Sequence, residues 1–388
     1  MKTINLILTV LTICAPLSFA AECFTSRQQR YTYEQGICAP QENEQLTACL
    51  KKDIMQTGGE SFNNALASLR KSNNLRTVLP EVVNVFKTSK NPQAVFAAAT
   101  ALISVPEELN IYQKDLIDVL TSPSAQDYKK TLAAIVLTSM DAADSSYTSF
   151  LTPALNAKDG ALAAYACAAY SILMPGTLDK YLSRIVQLYT FDKVFAQKAF
   201  DATGLKERAL TSKLQEDLYS SNEALRLSAI EWIGDLGNKK LLLDLLKPEV
   251  EQNKEGPTLS SAANALVRNY ALIKEDLRKS LKSEPSSQTA TIAVMAYSFM
   301  GGESYTIIEP LLDGGSDNET ANALRVVSSV AGILSGDSSY YPNPKLEREK
   351  ITKLIAPVAH INKNASNPKV KLYAQSASKE LYKLLNEK

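Results

Sequence analysis

The segment Leu214-Gln-Glu-Asp-Leu218-Tyr-Ser220-Ser-Asn-Glu223-Ala-Leu225-Arg-Leu-Ser-Ala229-Ile-Glu-Trp-Ile-Gly234-Asp-Leu-Gly237 reads as two helices around a short polar break. Leu225, Ala229 and Ile233 fall four residues apart, which places them on one face of a helix with 3.6 residues per turn. The same alternation of helix-period stretches and breaks runs outward from about residue 54. Breaks at Ser89-Lys-Asn-Pro92, Thr121-Ser-Pro-Ser124, Asn156-Ala-Lys-Asp-Gly160, Met174-Pro-Gly176 and Asp313-Gly-Gly-Ser316 contain the residues that interrupt helices. No stretch alternates with the two-residue period of half-buried strands. The chain reads as all-α.

The helices recur as well as the breaks. A small residue positioned like Ala229 returns at Ala98, Ala133, Ala168, Ala199 and Ala262, giving intervals of 35, 35, 31, 30 and 33 residues. The series then weakens to Met295 and Ser328 before Ala374. Small residues at a fixed interval let neighbouring helix pairs approach closely, as stacked repeats require. The long last interval holds Ser335-Gly-Asp-Ser-Ser-Tyr-Tyr-Pro-Asn-Pro344, which reads as a polar, proline-rich loop.

Leu225, Arg226, Ala229, Ile233 and Gly234 match the second-helix pattern of a HEAT repeat, which the segment resembles. Val370-Lys-Leu-Tyr-Ala374-Gln-Ser-Ala377 is similar, with Lys371 at the arginine position. Phe195-Ala-Gln-Lys-Ala199, ending at Gly204, keeps the alanine and glycine only. The resemblance covers about residues 80 to 388 and implies a right-handed α-solenoid of stacked antiparallel helix pairs, HEAT- or armadillo-like. It also implies that Arg226 pairs with an acid of an adjacent unit, and that the second helices line a concave surface engaging a protein or an extended peptide. The polar residues those helices carry, Lys130, Gln197, Arg226, Asn264, Arg325 and Lys371, are the candidates for that surface. Tyr340 and Tyr341, adjacent aromatics in a polar loop, are candidate contacts with a partner.

Residues 1–20 read as a secretory leader: Lys2, the apolar run Ile4 to Ile13, then Ser18-Phe19-Ala20 with small residues at the cleavage positions. Loss of Lys2 would leave 41 basic and 41 acidic residues. No later stretch approaches the length of a membrane span. Residues 21–53 hold Cys23, Cys38 and Cys49 with few aliphatics and read as an N-terminal cap for the repeat domain at 54–388. Export exposes these thiols to oxidation. If the two segments between Cys23 and Cys49 form a helical hairpin, its open ends bring those two cysteines together and leave Cys38 at the turn. Cys167, within Ala161-Leu-Ala-Ala-Tyr-Ala-Cys-Ala-Ala-Tyr170, reads as a small buried thiol. The closing helix, Lys371 to Leu385, would cap the other end with Glu380 and Lys383.

Charge and motif searches narrow the function. Lys and Arg number 42 against 41 Asp and Glu, which does not provide the basic excess that nucleic-acid binding rests on. The single histidine, His360, lies on an apolar stretch as a core or boundary residue, and it cannot supply a His-Glu-x-x-His metal site. Ser68-Leu-Arg-Lys71 and Ser316-Asp-Asn318 resemble parts of a serine acyl-enzyme signature, but the Lys-Thr-Gly element is missing. Glu107-Glu108 suits a helix start, and Trp232 suits a packed core. The expectation is a non-enzymatic scaffold or accessory subunit of the bacterial cell envelope, periplasmic or secreted, without cofactor or metal. The alternative is a secreted factor gripping a host protein. Oligomeric state is not legible.

Overall fold

The computed structural model describes residues 78–140, 142–176, 181–250, 256–336 and 340–386, and the chain divides into two compact units, Met1–Leu205 and Lys206–Lys388. The leader at 1–20, the cap at 21–53 with its Cys23 and Cys49 pairing, and Ser68 lie outside the described residues. Every regular element among the described residues is helical.

Among the described residues of the first unit there are four helix pairs. They are α1 (Leu79–Thr88) with α2 (Pro92–Ile103), α3 (Gln113–Thr121) with α4 (Asp127–Ser139), the short α5 (Thr148–Leu151) with α6 (Gly160–Leu173), and α7 (Leu182–Leu188) with α8 (Lys193–Ala202). Its second helices pack side by side, α2 on α4, α4 on α6 and α6 on α8. In the second unit, α9 (Glu207–Asp217) pairs with α10 (Glu223–Leu236), α11 (Lys239–Asp244) precedes α12 (Pro257–Arg268), α13 (Tyr270–Ser280) pairs with α14 (Gln288–Met300), and α15 (Tyr305–Gly314) with α16 (Asp317–Gly336). An inserted helix, α17 (Pro344–Thr352), precedes the last pair, α18 (Ile355–Asn364) and α19 (Pro368–Asn386). Here α10 packs on α12, α12 on α14, α14 on α16 and α16 on α19. Both units are therefore stacks of helix pairs.

One rule generates the second helices. Each opens at a residue with non-helical backbone, and at most of them a short polar side chain accepts one of the backbone N–H groups left free in the first turn. Asn91, Asp159, Asp192, Asn222 and Ser287 cap in this way. Ser316 and Glu319 form a capping box, the serine N–H and hydroxyl both donating to Glu319 Oε2, which holds that carboxyl below the usual range. Asn367 accepts from the Lys369 N–H at 2.9 Å. Gln126 and Gly256 precede α4 and α12 without a side-chain cap. Seven residues after these nine starts stand Ala98, Ala133, Ala166, Ala199, Ala229, Ala263, Val294, Ala323 and Ala374, all buried. Seven residues are two helical turns, so the start of the helix determines which small residue faces the neighbour.

This register shifts two of the expected alanines, since Ala166 and Ala263 take the places read for Ala168 and Ala262, which are also buried, and it corrects the sequence reading of the last third. Met295 and Ser328 are half-buried and are not the repeat positions; Val294 and Ala323 are. The long interval before Ala374 contains α17 and is not loop alone. The polar loop expected at Tyr340-Tyr341 is packed: Tyr341 is 4% exposed and its hydroxyl donates to the Ser298 carbonyl at 2.8 Å, while Tyr340, 43% exposed, lies 5.3 Å from the Phe299 ring. His360 is exposed on α18, with the Asn364 amide nitrogen 3.2 Å from its Nδ1, rather than in a core.

A second device joins successive pairs. The last carbonyls of a helix have no intrahelical donor, and polar side chains from the next second helix supply one. Lys129 on α4 donates to the carbonyls of Lys87 and Ser89 at the end of α1. Thr289 on α14 donates to Leu246 beyond α11. Asn322 on α16, fully buried, donates to Leu281 and Ser283 at 2.8 and 2.9 Å, and Arg325 donates to Pro285 at 2.6 Å.

Candidate functional site

The sequence candidates do not converge. Lys130 is half-buried on α4, and Gln197 is exposed on α8 with its amide donating to Asp201 at 2.8 Å. Asn264 on α12 and Lys371 on α19 are exposed. Arg325 is a clamp, held by Pro285, Asn322 and Thr291 and lying 6.0 Å from the Tyr373 ring. Counted from the helix starts, Lys130 and Lys371 stand at the fourth position and Asn264 at the eighth, whereas Gln197 and Arg325 stand at the fifth and ninth. At 100° per residue these two groups point about 100° apart, so they do not form one stripe. Tyr341 is withdrawn from the surface by its burial.

Arg226 is 3% exposed, and its Nη1 donates to the Ser220 carbonyl at 2.7 Å, in the turn of its own repeat. Among the described residues it pairs with no carboxylate, which corrects the acid pairing implied by the resemblance. Ala229, Ile233 and Trp232 are buried, and Leu225 is half-buried. At Gly234 α10 lies close against α12: a Cβ there would stand 2.9 Å from the Ala265 Cβ.

The first unit carries a surface feature that no sequence motif marks. An open groove of about 490 Å³ is lined by Ile103, Ser104 and Pro106 at the end of α2 and just beyond it, Ser139 at the end of α4, and Thr190 to Phe195 with Lys198 around the start of α8. Phe191 is 48% exposed and Val194 69% exposed, so two large apolar side chains stand at its mouth. Its hydroxyls are already engaged: Ser104 donates to Ala101, Ser139 to Val136 and Thr190 to Gln187. Asp192 is buried and accepts from the Phe195 N–H at 2.9 Å. The legible signal was Thr190-Phe-Asp-Lys-Val194, a polar break that carries two bulky apolar residues.

Other motifs are absorbed by the fold. In Ser316-Asp-Asn318 the serine donates to Glu319, Asp317 accepts from the Asn367 amide at 2.7 Å, and the Asn318 amide donates to Lys282. Glu107 and Glu108 occupy the first turn of the 3₁₀ helix Pro106–Tyr112. Among the described residues no three His, Cys, Asp or Glu side chains gather as a metal site, and no single helix is long and apolar enough to cross a membrane. Cys167 is fully buried, its thiol 3.7 Å from the Leu155 carbonyl and pushed up to about 12 by burial. A thiolate is thus scarce near pH 8, and Cys167 is expected to escape alkylation in the native chain and to react after denaturation. Peptide mass mapping checks this, and native labelling at Cys167 would contradict its burial.

No protein-family model matches the chain, and no curated protein matches it. Among solved structures it is similar to an archaeal HEAT-like repeat protein from Thermococcus onnurineus, with 15% identity over 71% of this chain and 98% of that one and a TM-score of 0.25. It is also similar to importin beta, with 11% identity over 92% of this chain and 54% of that one and a TM-score of 0.31. A third likeness is to the UNC-45 chaperone, with 12% identity over 100% of this chain and 57% of that one and a TM-score of 0.27. The stacking of helix pairs stands on the chain's own pairs, caps and buried small-residue register.

Proposed function

We propose that this chain is a non-catalytic binding scaffold of the bacterial cell envelope, acting on a protein or peptide partner through the surface of its second helices. The observation that carries this reading is the groove at α2, α4 and α8, a concavity with two exposed bulky apolar side chains. The polar groups of the recognisable motifs are spent on caps and clamps, which favours binding over catalysis. The envelope assignment is supported by the leader-like residues 1–20, and a cap at 21–53 closed by Cys23 and Cys49 belongs to the same proposal. Candidate contacts outside the groove are Lys130, Gln197, Asn264 and Lys371, with Tyr340 at the rim of the α17 insertion.

The test is crosslinking and affinity capture from envelope fractions, using the full chain and a surface-charge variant of an unrelated solenoid as reference. Specific recovery of the same partner in reciprocal capture supports the scaffold. Recovery of the chain only in culture medium contradicts a periplasmic address and favours the host-directed alternative.

The α17 insertion separates a structural from a binding role. Tyr341→Phe removes the donor to the buried Ser298 carbonyl and is expected to cost about 1–2 kcal/mol in urea unfolding. It should leave partner capture unchanged. An unaltered urea midpoint would remove Tyr341 from the core account.

A further inference from the structure

Within the scaffold reading, on which it rests, we propose that the groove of the first unit receives a short peptide segment in which an aliphatic or aromatic side chain is followed closely by Asp or Glu. The floor and walls that an apolar anchor would meet are Ile103, Pro106, Phe191 and Val194. A volume of about 490 Å³ accommodates one large side chain with its flanking backbone, within the range of specific pockets. Filling it would cover Phe191 and Val194, which otherwise stand about half exposed or more.

The charge around the groove decides what flanks the anchor. Ser104, Ser139 and Thr190 each use their hydroxyl proton on their own helix or turn, and the Asp192 carboxylate is buried as the cap of α8. Lys193 lies 5.4 Å from the centre of the Tyr189 ring. Lys198 lines the groove, is exposed, and pairs with no carboxylate among the described residues. Two helices, α2 and α4, turn their carbonyl ends toward one wall, whereas α8 turns its N-terminal turn and Lys198 toward the other. The Asp192 carboxylate already offsets the N-terminal end of α8, so an anion is disfavoured at the first wall and held at the second by the exposed Lys198 ammonium. A carboxylate next to the anchor therefore settles on the α8 side, which orients the peptide as well as selecting it.

The experiment is selection of a displayed random linear peptide library on the immobilised full chain, followed by fluorescence anisotropy with the most enriched peptide made synthetically. Enriched sequences are expected to carry Phe, Leu, Ile or Trp within three residues of Asp or Glu. The synthetic peptide should bind Val194→Asp and Phe191→Ala about tenfold or more weakly than the parent. Lys198→Glu should weaken it and shift preference to the same peptide with its acid replaced by Lys. Both apolar positions are exposed, so the folded state of the variants is confirmed by unchanged circular dichroism melting. No enrichment over an unrelated solenoid, enrichment of basic or purely apolar peptides, or equal affinity for Val194→Asp overturns the proposal. An envelope partner still captured by Val194→Asp would reject the groove while leaving the scaffold standing; failure of reciprocal capture with the peptide result intact would reject the envelope scaffold instead.

Discussion

Trp232→Ala is expected to remove about 3–5 kcal/mol from the unfolding free energy, among the largest effects of any single truncation in the chain. Trp232 is 1% exposed and is among the bulkiest fully buried side chains. It sits in the middle of α10, a helix packed against α9 on one side and α12 on another. Removing an indole from such a site leaves a cavity that helices fixed by their caps close only in part. In a stack of repeats each pair is stabilised mainly by its neighbours, so the loss reaches α9 and α12 as well as α10. Urea unfolding followed by far-ultraviolet circular dichroism measures the effect, with Leu272→Ala, exposed on α13, as a reference expected to cost under about 0.5 kcal/mol. In the parent, Trp232 is the single tryptophan, and its fluorescence reports on the unit Lys206–Lys388. A loss below about 1 kcal/mol would show that Trp232 is not a packing element.

The helical class and most boundaries were legible because the breaks use residues with strong local preferences. Asn91-Pro92, Asp159-Gly160 and Asn222-Glu223 announce the starts of α2, α6 and α10 by cap chemistry alone. The buried register was legible at Ala98, Ala133, Ala199, Ala229 and Ala374, and it slipped where small residues crowd together, to Ala168 and Ala262 beside Ala166 and Ala263 and to Ser328 in place of Ala323. Val294 fills the repeat position with a β-branched residue, and beside it Met295 imitated the register without occupying it. Polar residues were the harder class. Arg325, Lys129 and Asn322 look like surface chemistry in one dimension, yet they reach carbonyls about forty residues away, a separation no local pattern reveals. Tyr341 was misread for a related reason: a polar neighbourhood in sequence is compatible with a buried ring when the partner, Ser298, lies in a different helix. The groove is not legible as a motif because its lining comes from three separate helix ends, of which Thr190 to Lys198 is only one.

Gly234→Leu is expected to destabilise the chain by about 3 kcal/mol, although leucine is the better helix former. The reason is space. A Cβ on residue 234 would stand 2.9 Å from the Ala265 Cβ, 3.3 Å from the Ala265 Cα and 2.5 Å from Arg268 Nη2. The arginine tip can swing away, at the expense of its ion pairs with Glu231 and Asp235 at 3.6 and 3.5 Å. The α12 backbone cannot move without loosening the Asn269 amide, which donates to the Gly234 and Ala265 carbonyls at 2.7 and 2.9 Å. The smaller change isolates the contact. Gly234→Ala gains about 1 kcal/mol of helix propensity and still should lose about 1–2 kcal/mol net through the clash. Ala265→Gly loses about 1 kcal/mol alone. Combined, they remove the Cβ–Cβ contact, so the double variant is expected to be more stable than the sum of the singles predicts by about 1 kcal/mol. Urea denaturation of the four proteins closes this cycle. Additivity within about 0.5 kcal/mol would mean that the glycine is not required by the approach of α12, and that the small-residue register is not what seats one repeat on the next.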